Sequence, residues 1–218
     1  MAFNCGVSFG ACLVRITRLD DNGNVIAGNN AYVTDNPISI SVNPNIETGN
    51  AFSVRNGCGC SISRRKFPDI FNWWELSLNM ATLEPQMISF LLGAATITDG
   101  ADVVGIAFPS ALDCADQAPA VAFEFWSEHV VGSGLDATYP YFHWVFPSTV
   151  WQIGDNTFEE GPAEPTVNAF SQTNGNWGDG PYGDGPPDGE VISEGAFWAT
   201  NDALPTAECA AQAVTSTS

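Results

Sequence analysis

Residues 67–93 read FPDIFNWWELSLNMATLEPQMISFLLG, and they hold one strand, one helix and much of the apolar weight of the chain. Trp74, Leu76, Leu78 and Met80 alternate with Glu75, Ser77 and Asn79, a period of two that turns one apolar face inward on a half-buried strand and leaves Trp73 on the wetter side. A helix over about residues 83–92 is expected next, capped by Thr82, with Glu84 in its first turn, Pro85 where a missing N–H costs little, and Gly93 as a left-handed stop. Met87, Ile88, Phe90, Leu91 and Leu92 cover more than half of its surface, too much for a surface helix and enough for one wedged against a sheet. Trp74, Leu76, Leu78, Met87 and Leu91 are therefore the expected packing residues of strand and helix.

The 218 residues suit a single domain with a real core, 44% of them hydrophobic, which argues against wholesale disorder. No apolar run is long enough for a membrane-spanning helix, and no basic residue precedes the apolar N-terminal stretch, so neither a span nor a secretory signal is expected. A cytoplasmic site of synthesis follows. All six basic residues, Arg15, Arg18, Arg55, Arg64, Arg65 and Lys66, fall in the first 66 positions, although the net charge is −19. Such a field repels nucleic acid and makes sequence-specific DNA binding improbable, while a basic segment of one copy could meet an acidic face of the next.

Working outward, residues 12–19 and 25–34 read as strands joined by a turn at Asn22-Gly23, and residues 38–42 as a short one-sided edge strand between Pro37 and Pro44. Residues 62–66 end the only dense basic cluster, which suits an exposed linker or inter-subunit arm. A hairpin is expected across Asp99-Gly100, and residues 121–128, 139–146, 149–153, 167–172 and 190–199 are strand-prone, with a break at Pro147. Residues 173–189, TNGNWGDGPYGDGPPDG, are nearly all turn formers and read as an extended loop that buries little. Residues 1–200 form one β domain in this reading, and residues 201–218 a flexible tail. The fold class is mostly β, a sandwich or barrel with one short helix and extended arms.

Motifs for chemistry are weak. Gly6-Val7-Ser8-Phe9-Gly10 matches a nucleophile elbow but lacks the strand before it and the helix after it. Glu124 and Glu128 flank Trp126 on one strand face, yet roughly 13 Å of regular strand separates them, beyond the reach of a glycosidase pair. Cys58-Gly59-Cys60 is too tight for a zinc knuckle, and the six cysteines, with Cys5, Cys12, Cys114 and Cys209, are expected to be buried free thiols. His129 and His143 sit in no ligand spacing, and Asp179, Asp184 and Asp188 lack the spacing of a calcium loop. No catalytic residue, cofactor or metal is expected.

Four phrases in order, LEPQMISFLLGAATITDGADVVGIAF (residues 83–108), VAFEFWSE (121–128), YFHWVFPSTVWQIGDNTF (141–158) and NGNWGDGP (174–181), resemble the major tail tube proteins of long-tailed, non-contractile, siphovirus-type bacteriophages, particularly those of actinobacteria. The resemblance implies a β-sandwich or barrel flanked by a helix, hexameric rings stacked into a tube, arms that bridge neighbouring rings, and passage of the genome without specific binding. The chain is then expected in the virion tail, assembled in the host cytoplasm beside other tail proteins. Carboxylates after Lys66 would line the lumen, and Arg64, Arg65 and Lys66 would pair with an acidic rim of the adjacent ring. Alternatives are another β-rich tail or completion protein, at the distal end or between head and tail, and a glycan-binding or glycan-cleaving β-sandwich.

Overall fold

The computed structural model describes residues 5–108, 118–154, 164–208 and 210–214. Strand accounts for 56% of the chain and helix for 4%, so the molecule is mostly β. In chain order the elements are β1 (Val7–Arg18), β2 (Gly28–Thr34), β3 (Pro37–Glu47), β4 (Ala51–Arg55), β5 (Ser61–Lys66), β6 (Ile70–Met80), α1 (Pro85–Leu92), β7 (Ala95–Asp99) and β8 (Asp102–Ala107). They are followed by β9 (Ala120–Val131), β10 (Gly134–Leu135), β11 (Tyr141–Ile153), β12 (Thr166–Ser171), β13 (Ala196–Thr200) and β14 (Ala211–Val214).

One antiparallel sheet runs β14-β2-β1-β9-β11-β12-β6-β3, with β10 added to β9 and β13 to β11. Its alternating pattern sends Val14, Ile16, Val121, Phe123, Leu76, Leu78 and Val167 to one face, where they close on Met87, Phe90 and Leu91 of α1 in the main core. β1 and β3, well separated in that order, contact each other directly, so the sheet is curled in a sandwich-like arrangement, with α1 packed on β1, β9 and β11. Leu76, Leu78, Met87 and Leu91 are buried in this core, and Trp74 packs at its edge, half-buried, its ring 5.2 Å from that of Phe71.

Gly93 ends α1 at φ 67, its N–H bonded to the Ser89 carbonyl, as the left-handed stop requires. The start differs from the sequence reading. Glu84, not Thr82, holds the cap position, in extended backbone at φ −101 and ψ 101, because the residue before a proline is driven out of the helical region. Its carboxylate accepts from Tyr32 Oη at 2.9 Å and Thr34 Oγ1 at 3.1 Å, tying the helix to β2. The Thr82 side chain instead accepts from Asn36 Nδ2.

Other boundaries moved for identifiable reasons. The expected strands 139–146 and 149–153 merge into one, β11, which begins at Tyr141, because a register shift between Phe146 and Thr149 absorbs Pro147, and a bulge needs no ladder N–H at that position. Of the expected 190–199 strand only residues 196–199 pair with β11, and the pairing runs on to Thr200. The terminal segment is not all tail, since Ala211–Val214 pairs with β2 at the sheet edge. Of the expected tail, residues 209 and 215–218 lie outside the described residues, as do Cys114 and Cys209.

Candidate functional site

Two features stand out from a fold that is otherwise core and ladder. The first is the β4–β5 hairpin. Every residue from Ala51 to Lys66 is exposed, and the two strands form their own small sheet, unpaired with the main one. The segment is thus a hairpin arm and not a linker. At its tip Asn56 Oδ1 accepts from the backbone N–H groups of Cys58 at 3.1 Å and Cys60 at 2.9 Å, while Gly59 takes φ 80, a value for which glycine is the natural residue. At its base the Phe67 N–H donates to the Asn50 carbonyl and Lys66 Nζ lies 3.0 Å from Asp69. The Gly49 N–H and Lys66, in that order, hold the Asp69 carboxyl below its ordinary value.

The register gives the arm two faces. Phe52 lies opposite Arg65 and Val54 opposite Ser63, whereas Ser53 lies opposite Arg64 and Ala51 opposite Lys66. Alternation therefore puts Phe52 and Val54 on one side and Arg64 and Lys66 on the other. Phe67 meets Phe52 edge-on at 5.9 Å, and the Arg65 guanidinium covers the Phe67 ring at 4.9 Å. Even so, Phe52 and Val54 remain 59% and 58% exposed, and Ile62 69%. Two positions apart on one face, Phe52 and Val54 make a patch and not isolated exposures.

The arm also carries all of the exposed positive charge. Arg15 is buried, and Arg18 is half-buried with its guanidinium 4.1 Å over the Phe90 ring; burial lowers the Arg18 pKa. That leaves Arg55, Arg64, Arg65 and Lys66, all on β4 or β5.

The second feature is a buried charge cluster on the sheet face away from α1. Arg15 on β1 lies opposite Glu124 on β9, which lies opposite Val145 on β11, so His143 is a diagonal neighbour on the same face. Arg15 Nε and Nη2 donate to the two Glu124 oxygens at 2.6 and 2.7 Å, and Nη2 also donates to Asp184 at 2.9 Å. The guanidinium is held between the rings of Tyr182 at 3.6 Å and Trp126 at 5.0 Å. His143 Nε2 meets Glu124 at 3.2 Å, and its ring stacks on Trp126 at 4.2 Å, with Trp198 edge-on at 4.6 Å.

Arg15, Glu124 and His143 are 4%, 2% and 1% exposed, so this is an interior ion pair with three anchored partners. Burial alone would raise the Glu124 pKa, but Arg15 and His143 outweigh it and bring it down to about 2. Burial likewise works against the charge on Arg15, and Glu124 and Asp184 reverse the effect and raise its pKa. Burial pushes the Tyr182 hydroxyl up to about 12, against the opposing pull of Arg15.

Residues 173–195 seal this cluster, a correction to the loop expected to bury little. Trp177 and Ile192 fill a second apolar cluster with Leu19, Ala122 and Val145. Tyr182 shares a hydrogen bond with Thr17 at 2.7 Å. Asn174 Nδ2 donates to the carbonyls of Gly23 and Pro147, and the Ile192 N–H to the Gly178 carbonyl. The glycines supply the turns, and a few large side chains pin the strap between them.

Other residues singled out from sequence fall elsewhere. Glu124 is committed to Arg15, and Glu128 is half-buried further along β9. Ser8 lies within β1, its hydroxyl 2.8 Å from that of Ser127, which is not an elbow. His129 Nδ1 is 2.8 Å from the Tyr139 carbonyl. Cys5, Cys58 and Cys60 are exposed free thiols and Cys12 is half-buried, contrary to the expected buried thiols. No group of three metal-ligating side chains gathers among the described residues, and no described helix is long and apolar enough to cross a membrane. Neither the pairing of Arg15 with Glu124 nor the closure of the strap could be read from spacing, since residues 109 positions apart must first be aligned by the sheet. No family model matches the chain, and no curated protein matches it in sequence.

Proposed function

We propose that this chain is a structural subunit of a phage tail tube, self-assembling into stacked rings whose acidic bore conducts the genome, with no catalytic step. The observation that carries the proposal is the arm. It projects exposed Phe52, Val54 and Ile62 together with every exposed cation of a chain whose net charge is −19. A monomer gains nothing from such an element, whereas a second copy offers both an apolar surface to cover and an acidic one to neutralise. Support also comes from the curled β architecture with one helix and from the phrases that resemble tail tube proteins. DNA carries about one negative charge per 1.7 Å of helix axis, so a carboxylate-lined wall would repel it and let it slide, without the counterion release that lysine and arginine contacts give.

The test is light scattering of the purified chain against protein and salt concentration. The proposal expects assembly that weakens as salt rises, and an Arg64→Glu/Arg65→Glu/Lys66→Glu variant that assembles poorly at every salt concentration. Equal assembly by this variant would remove the arm from the account. A second reading, a glycan-binding β module, is favoured by an open cleft of about 530 Å³ that joins Trp73 to Asn43, Glu75, Gln152 and Asn168. A persistent monomer retarded on a polysaccharide column would favour it.

A further inference from the structure

Cys58 and Cys60 occupy the apex of the arm, both exposed and both free. Cysteine is among the residues most often buried, as a small apolar filler, and Cys12 comes closer to that role, half-buried with its Sγ–H directed to the Trp126 carbonyl at 3.1 Å. Burial raises its pKa and makes it the less reactive thiol. The tip pair packs nothing. The turn bearing it is held by the bonds to Asn56 and by the Asn56 N–H to Cys60 carbonyl bond at 2.9 Å. Residues 48–68 contain no Asp or Glu, and Arg55 and Arg64 flank the pair. Two such tips would repel one another, so a docked tip faces some other part of a neighbouring copy.

We propose that Cys58 and Cys60 form an oxidative cross-linking site through which assembled copies of this chain are joined by disulfides. The inference rests on the self-assembly reading above. With glutathione disulfide as oxidant, a tip thiolate attacks one sulfur of the reagent, forming a mixed disulfide and releasing one glutathione. With the tips kept apart, the thiol that closes the bond is Cys5 of the adjacent copy, the other exposed one among the described residues; its thiolate displaces the second glutathione and forms the protein–protein disulfide. Two protein thiols lose two electrons and two protons, and the reagent takes them up as two thiols.

The experiment exposes the full chain to glutathione disulfide below and above the concentration at which light scattering reports assembly. Non-reducing gels and intact mass are then read on the same samples. Expected is a ladder of covalent oligomers, reversed by dithiothreitol, in assembled samples only, and its loss in a Cys58→Ser/Cys60→Ser variant that assembles as the parent does. Assembled samples that yield only glutathione adducts, only a monomer lighter by two hydrogens from a Cys58–Cys60 bond, or a ladder that survives the double substitution overturn the inference and leave the assembly reading standing. Scattering that never rises with concentration overturns both.

Discussion

The residue that most constrains this chain is Arg15, because it satisfies the buried Glu124 and the partly exposed Asp184 at once. Removing one member of a buried pair strands the other charge, so Arg15→Met should cost roughly 3–5 kcal/mol in urea unfolding, whereas the double change Arg15→Met/Glu124→Leu should recover much of that loss. If the two variants were equally unstable, the cost would lie in packing and not in charge. The pH dependence has a definite sign. Glu124 falls from an ordinary 4.5 to about 2 on folding, so its stabilisation is complete above about 4.5 and is lost as pH drops towards 2. Acidification also relieves the mutual repulsion of the other carboxylates, which acts in the opposite direction. The difference between the parent and the double variant isolates the pair: across that window the parent should lose stability relative to the variant, and parallel curves would contradict the assignment.

At the scale of elements, the helix stop and the strap make separate predictions. A Cβ on Gly93 would sit 2.5 Å from Pro119 Cδ at φ 67, so Gly93→Ala should destabilise by at least about 1–2 kcal/mol. Thermal denaturation measures it, and an unchanged midpoint would mean that the helix end is free to move. Asp184→Asn keeps the shape of the strap but removes a charge from Arg15, and should speed hydrogen exchange at the backbone of residues 173–195 while β9 and β11 stay protected. Uniformly faster exchange would show that the strap is not a separate unit. These elements also mark how far the sequence could be read. The alternation from Trp74 to Met80, the Gly93 stop and the hairpin turns are local, set by period and by backbone preference, and they were legible. The shift of the cap to Glu84 has an equally local cause, the proline that follows it, whereas the tie of its carboxylate to Tyr32 and Thr34, about fifty positions away, has no local signal. The strap was misread because composition counts its glycines, whereas its burial depends on Trp177, Tyr182 and Ile192 meeting a sheet face that no local pattern reveals. For the arm, the basic cluster and its exposure were legible, but its hairpin form and the division of its two faces came only from the register.

At the scale of the whole molecule, charge and shape divide the work. A curled sheet closes on α1, a strap closes its far side, and the β4–β5 arm, exposed along its whole length, carries the exposed cations. An acidic body with a basic, apolar arm is complementary to itself, and a heterologous contact of this kind closes into a ring or propagates as a filament according to its rotation. Phe52→Ser/Val54→Ser should abolish assembly at every salt concentration while leaving the monomer's thermal stability within about 0.5 kcal/mol, since exposed side chains contribute little to the fold. The most direct measurement is negative-stain electron microscopy of the purified chain across a concentration series, beside this arm variant. The account predicts hollow rings or tubes from the parent and isolated particles from the variant; a parent that stays monomeric at the highest concentration, or a variant that builds the same tubes, would contradict it.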